Sequence, residues 1–195
     1  MKSNPIITKK IIAGKFKGKT LKLPSKETTR SSKAIVLESF FNTVQFDIID
    51  AVLVEVFSGS GSIGLEALSR GAKKIIFMEK DRDAIKTLRE NIAQTDPNAC
   101  EIVEGDSFTN IAHVKKRLLN LGEGAFIYID PPFSYREGME DIYDKMIGMI
   151  SSLPLETVTL ITIEHMSTLE LPEEIGPFHR IKSKRFGKTS LTYYA

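Results

Sequence analysis

The apolar positions of this 195-residue chain change their period along its length. Near the N-terminus, residues 11–24 alternate apolar and polar side chains around Gly14 and Gly18, which predicts two short strands meeting in a β-hairpin. Leu37, Phe41 and Val44, with Val36 and Phe40 beside them, fall at helical spacing, so a helix with a broad apolar face is expected over residues 33–44. Beyond it the two periods take turns. Near-continuous apolar runs at 51–57, 74–78, 101–103, 125–129 and 158–163 are separated by helical patterns at 62–69, 83–92, 111–119 and 143–150. Strands that lack polar alternation, each followed by a helix, predict a mainly parallel sheet covered on both faces. The fold class is therefore α/β. Past Pro172 the pattern weakens, and residues 178–182 with 189–194 are expected to close the sheet as an antiparallel pair.

Composition narrows the class without changing the fold. With 42% hydrophobic and 27% charged residues, the chain has the makeup of one folded domain, not of a disordered or fibrous protein. The lone Cys100 allows no internal disulfide and no cysteine zinc site, so a cytoplasmic protein is the simplest expectation. No run of about 18 apolar residues is present to span a membrane. Charge changes the picture more. Residues 1–33 hold ten Lys/Arg and only one acidic residue, Glu27, whereas the whole chain carries only +2. A basic arm, residues 1–32, joined to an acidic body, residues 33–195, points to contact with phosphate. A smaller basic group, Arg180, Lys182, Lys184, Arg185 and Lys188, lies near the C-terminus.

Two motifs carry candidate chemistry. Gly59-Ser60-Gly61-Ser62-Ile63-Gly64 is a G-x-G-x-x-G loop placed directly after a strand and at the start of a helix. Glycines there let the backbone approach a ligand, and the helix N-terminus favours electronegative groups. Glu79 ends the next strand, where a carboxylate can accept hydrogen bonds from a ribose diol. Both NAD and S-adenosylmethionine contain that ribose. Asp106 follows the third strand and either accepts from an adenine amino group or caps the next helix. The second motif, Asp130-Pro131-Pro132-Phe133, leaves the fourth strand at the sheet edge where open α/β folds place their chemistry. Its prolines withhold two N–H donors, Asp130 and the Pro131 carbonyl accept, and Phe133 offers a flat face. Such a loop suits an exocyclic amino group on a planar base.

Taken together, residues 55–61, Glu79, Asp106 and the Asp-Pro-Pro-Phe loop resemble class I S-adenosylmethionine-dependent amino-methyltransferases, and most closely the RsmD family, bacterial enzymes that methylate N2 of a guanine in 16S rRNA. Residues 11–18 and 64–72 are similar to the same family. The resemblance implies a Rossmann-like fold with a seven-stranded, mainly parallel sheet, helices on both faces and an N-terminal basic hairpin. It implies S-adenosylmethionine held by Glu55, Phe57, Gly59, Ser60, Gly61, Glu79, Lys80, Asp106 and Ser107. It places the chemical centre at Asp130, Pro131, Pro132 and Phe133, and RNA contacts at Lys15, Lys17, Lys19 and Arg30. The partner implied is 16S rRNA, in the small ribosomal subunit or an assembly intermediate, met by a monomer that needs no metal. One stretch departs from the family pattern: in residues 30–42, Arg30, Glu38, Phe41 and Asn42 match, but the usual Pro, Asp and second Arg are absent. Three other readings stay open: methylation of adenine N6 in DNA or another RNA or of a protein glutamine, an NAD-dependent dehydrogenase, and a noncatalytic RNA-binding protein that keeps the fold.

Overall fold

The computed structural model describes residues 7–24, 31–132 and 141–195, with residues 31–33 through their backbone alone. The chain opens with an antiparallel hairpin, β1 (Thr8–Lys10) and β2 (Thr20–Lys22), and the first helix, α1, spans Ser31–Thr43. Strand–helix alternation follows: β3 (Val52–Val56), α2 (Ser62–Ser69), β4 (Lys74–Glu79), α3 (Arg82–Ile92), β5 (Cys100–Glu104), α4 (Ser107–Leu121), β6 (Ala125–Ile129), α5 (Ile142–Ser151) and β7 (Val158–Met166). Three antiparallel strands end the chain, β8 (Glu174–Ile175), β9 (Phe178–Phe186) and β10 (Thr189–Tyr194). Among the described residues, no helix is long and apolar enough to cross a membrane.

The main sheet runs β5-β4-β3-β6-β7-β10-β9-β8, with β3 to β7 mutually parallel and β10 inserted antiparallel between β7 and β9. Against the seven strands expected, the two-residue β8, paired to the start of β9, makes an eighth. So short a strand carries no periodicity to read. Every residue of β3 and β6 is buried, because α1, α2, α3 and the hairpin pack on one face of the sheet and α4 and α5 on the other. Burial on both faces is why these strands read as unbroken apolar runs.

The hairpin differs in detail from its sequence pattern. Its first strand precedes the alternating stretch and its second lies near the end of it, while Ile11 to Lys19 forms the turn, closed by Ile11 N–H to the Lys19 carbonyl at 3.0 Å and Gly18 N–H to the Ile11 carbonyl at 2.9 Å. It is also packed into the body. Ile11, Phe16 and Leu21 belong to the same buried cluster as α1 and α2. The buried Glu66 carboxylate of α2 accepts from Ile12 N–H at 2.8 Å and Ala13 N–H at 3.1 Å. Gly14 has φ +81°, and a Cβ there would meet the Ser69 carbonyl oxygen at 1.7 Å, so only glycine allows the turn to sit against the end of α2.

Candidate active site

Strand register brings the candidate residues into one row. Val56 pairs with Met78 of β4 and with Ile129 of β6, and Ile129 pairs with Ile163 of β7. The residues that follow each, Phe57, Glu79, Asp130 and Glu164, therefore stand side by side at the C-terminal edge of the parallel strands. At about 4.8 Å per strand the row spans about 14 Å.

The loop after β3 is built by its glycines. Gly59 and Gly61 have φ +52° and +75°, and Gly61 is the left-handed residue that opens α2. A Cβ on Gly61 would meet Leu88 Cδ1 at 2.3 Å, and one on Gly64 would meet Ile75 and Phe77 at 2.5 Å, so the second and third glycines set how closely loop and helix approach α3 and β4. No side chain of the loop caps α2. The buried carboxylate of Glu55 does so from the strand below, accepting from Gly64 N–H at 2.8 Å and Ile63 N–H at 3.3 Å, with its charge at the positive end of the helix dipole. Phe57 also adopts a positive φ, +60°, which is strained for an aromatic residue; its ring lies 5.5 Å from that of Phe108. Glu79 accepts from Gly59 N–H at 2.7 Å and from the N–H groups of Lys80 and Asp81 at 2.8 and 2.9 Å. It thereby ties the glycine loop to the start of α3.

Beside the loop opens a cleft in which Glu55, Asp130 and Glu164 share the lining with Tyr128, Phe57 and Lys9. The Tyr128 hydroxyl donates to Glu164 Oε2 at 2.7 Å. Burial, and then the charges of Glu164 and Asp130, raise the Tyr128 phenol well above its ordinary value, so it stays protonated as a donor. Lys9 reaches the cleft from β1, its Nζ 3.5 Å from Ser62 Oγ.

The sequence and the fold are similar to those of known proteins. The profile of the family described as Conserved hypothetical protein 95 matches residues 9–195. The chain belongs to this family. It is the RsmD family of class I S-adenosylmethionine-dependent methyltransferases. The chain is similar to YlbH of Bacillus subtilis, 29% identical over 189 residues that cover 95% of this chain and 97% of that one. It is also similar to Ribosomal RNA small subunit methyltransferase D of Escherichia coli K12, 32% identical over 124 residues, 64% of this chain and 60% of that protein's length. Among solved structures, Escherichia coli yhhF superposes with a TM-score of 0.76 at 26% identity, covering 96% of this chain and 97% of the other.

S-adenosylmethionine is the cofactor of this RsmD-family fold, and the residues present fit it. Gly59 of the glycine loop is only half-buried, the Glu79 carboxylate stands at the end of β4, and the acidic cleft beside them suits a sulfonium cation. The remaining candidates are less uniform. Asp106 is the cap of α4, its Oδ1 accepting from Phe108 N–H at 3.0 Å and Thr109 N–H at 3.2 Å, while Oδ2 faces the exposed Lys80 Nζ at 3.7 Å. Ser60 and Ser107 are buried; the Ser60 carbonyl accepts from Asn91 Nδ2 at 2.9 Å, and its Oγ has no hydrogen-bond partner among the described residues. Pro131 is buried and Pro132 half-buried beside Asp130; Phe133 and Arg30 lie outside the described residues.

Lys15, Lys17 and Lys19 are exposed at the hairpin turn, where Lys15 N–H donates to the Ser69 carbonyl at 2.7 Å. Ser69 ends α2 and Ser62 begins it, so the turn sits about 10 Å along the helix from the cleft. Lys9, Tyr128 and Glu164 are the site residues that sequence reasoning missed. Tyr128 reads as one more apolar strand position, but Glu164 breaks the apolar run of β7 and marks itself by that alone. Among the described residues, no cluster of His, Cys, Asp and Glu is placed to hold a metal ion.

Proposed function

We propose that this chain methylates the exocyclic N2 amino group of a guanine in 16S rRNA, within the small ribosomal subunit or an assembly intermediate. The observation that carries the reading is Asp130, half-buried at the C-terminal edge of β6, one strand from the glycine loop and followed by two prolines. Bound S-adenosylmethionine supplies an electrophilic methyl carbon. The chain's own residues supply orientation and charge. The amino nitrogen of guanine is a weak nucleophile because its lone pair is delocalised into the ring. Asp130 and the Pro131 carbonyl accept its two N–H bonds, shift electron density onto nitrogen and stabilise the positive charge that develops there. Holding the base and the cofactor in one cleft supplies much of the remaining acceleration. Phe133 stacks on the flipped base. Glu79 takes the ribose hydroxyls, and the backbone of the loop that Gly59 and Gly61 shape lies against the cofactor.

Guanine is favoured over adenine by the second carboxylate in the row. The guanine edge donates from both N1 and N2, which suits Asp130 and Glu164 on adjacent strands, whereas adenine N1 is an acceptor and meets a carboxylate unfavourably. The test is transfer of tritiated methyl to small subunits that lack the modification, with the product nucleoside identified by mass spectrometry. N2-methylguanosine is expected. Asp130→Ala lowers the rate by about 10²–10³-fold, the scale for removing one preorganised charge-stabilising group, while calorimetric affinity for S-adenosylhomocysteine stays close to wild type. Transfer at the wild-type rate by Asp130→Ala refutes the assignment of the centre. N6-methyladenosine as product shifts the reading to the adenine enzyme, and cofactor binding with no labelled substrate of any kind shifts it to a noncatalytic binder.

A further inference from the structure

The hairpin is not the only basic surface near the cleft. In the sheet register, Glu164 of β7 pairs with Leu191 of β10, and Leu191 pairs with Lys184 of β9. Directly paired side chains share a face, so Lys184 stands two strand spacings, about 10 Å, from the cleft carboxylate and on its side of the sheet. Lys182 follows the same alternation. The turn between β9 and β10 brings Lys188 to the same C-terminal edge as Asp130. That turn is anchored: Gly187 has φ +63°, Ser167 N–H and Oγ donate to the carbonyls of Lys188 and Gly187 at 2.9 and 2.8 Å, and Arg185 Nε donates to Gly187 at 3.1 Å.

Apart from Arg180, the cations here have no carboxylate partner among the described residues. Arg180 is paired with Glu173, but among the described residues none of Lys182, Lys184 and Lys188 makes an ion pair. Lys182 and Lys188 are exposed. Lys184 Nζ is steered over α1, 3.2 Å from Ser39 Oγ and 3.3 Å from Thr43 Oγ1, and partial burial followed by repulsion from Lys182 pulls it below the ordinary lysine value. Like charges held together without a counter-charge form a site for an external anion. Val36 and Leu37 of α1 line the cleft, so β9 flanks the cleft on the α1 side, as Lys9 and β1 do on the α2 side.

We propose that Lys182, Lys184 and Lys188 form a second phosphate-contacting surface for RNA, so that the substrate is gripped on both flanks of the cleft. The inference rests on the reading of the chain as an rRNA methyltransferase and adds a surface to it. Its test compares Lys182→Ala/Lys188→Ala with Lys115→Ala/Lys116→Ala, which removes equal charge from α4 on the opposite face of the sheet; Lys184 is kept because it contacts α1. Binding of the full-length proteins to protein-free small-subunit rRNA and to small subunits is measured across a salt series. The β9 variant is expected to flatten the slope of log K against log salt by about 1.4–1.8, at roughly 0.7–0.9 for each phosphate no longer neutralised, and to bind about tenfold more weakly at low salt, with unchanged affinity for S-adenosylhomocysteine. The α4 variant is expected to match wild type. Equal losses in both variants would reflect net charge alone and overturn the surface, as would a β9 variant indistinguishable from a wild type that binds and methylates. Weaker binding to subunits with unchanged binding to protein-free rRNA assigns the surface to a ribosomal protein and also overturns it. A wild type that binds neither RNA nor subunits refutes the rRNA-methyltransferase reading itself and this surface with it.

Discussion

Asn91 joins three parts of the protein through one side chain. It lies on α3 and is fully buried. Its Oδ1 accepts from Lys22 N–H at 2.9 Å, and its Nδ2 donates to the Lys22 and Ser60 carbonyls, each at 2.9 Å. Hairpin, helix and glycine loop thus meet at one amide. Asn91→Ala removes all three bonds, each with a net value of about 1 kcal/mol, and leaves enclosed backbone groups whose desolvation adds to the loss. The expected destabilisation is about 3–5 kcal/mol, a large part of the roughly 5–15 kcal/mol that holds a domain folded. It should appear in urea denaturation followed by far-UV circular dichroism, and as a fall in Tm of about 6–20 °C. Affinity for S-adenosylhomocysteine should fall as well, because the Ser60 peptide loses its tether. Asn91→Asp separates the bonds: a carboxylate still accepts from Lys22 N–H but cannot donate to either carbonyl. It should therefore be destabilised too. A change within about 0.5 kcal/mol for Asn91→Ala, or a stable Asn91→Asp, would refute the role assigned to this amide.

Two further outcomes follow from local geometry. Gly61→Ala puts a Cβ 2.3 Å from Leu88 Cδ1 at φ +75°, whereas Gly18→Ala faces a similar φ of +84° with nothing within 4 Å. Calorimetry with S-adenosylhomocysteine should show more than tenfold loss for the first and none for the second, whose backbone strain costs about 1–2 kcal/mol in stability alone. Burial, and secondarily Asp96, pushes the Cys100 thiol up to about 12. Deprotonation is needed for attack on an alkylating agent, so at pH 8 iodoacetamide should modify Cys100 orders of magnitude more slowly than a free cysteine, with the rate climbing as pH rises toward 10; a rate equal to free cysteine at pH 8 contradicts the burial.

Local periodicity was enough for most of the framework. Strands buried on both faces must be apolar throughout and helices on a sheet must be apolar on one side, so β3 to β7 and the helices between them are legible one segment at a time. Gly59 and Gly61 are legible for the same local reason, since a positive φ at a strand-to-helix turn selects glycine wherever the chain goes next. Asp130 is legible because it ends an apolar run before two prolines. Register and docking are not local. Nothing in the alternation of the hairpin says that Lys9 enters the cleft while Lys15, Lys17 and Lys19 face solvent at the other end of α2; that follows from the grip of Glu66 and Asn91 on backbone groups 53 to 69 residues away. Glu164, too, joins Tyr128 and Asp130 only because β7 pairs with β6 in one register. Residue type and short-range period are written in the chain, whereas which charges share a cleft is decided by hydrogen bonds between distant segments, whose partners can be identified only once the chain has folded.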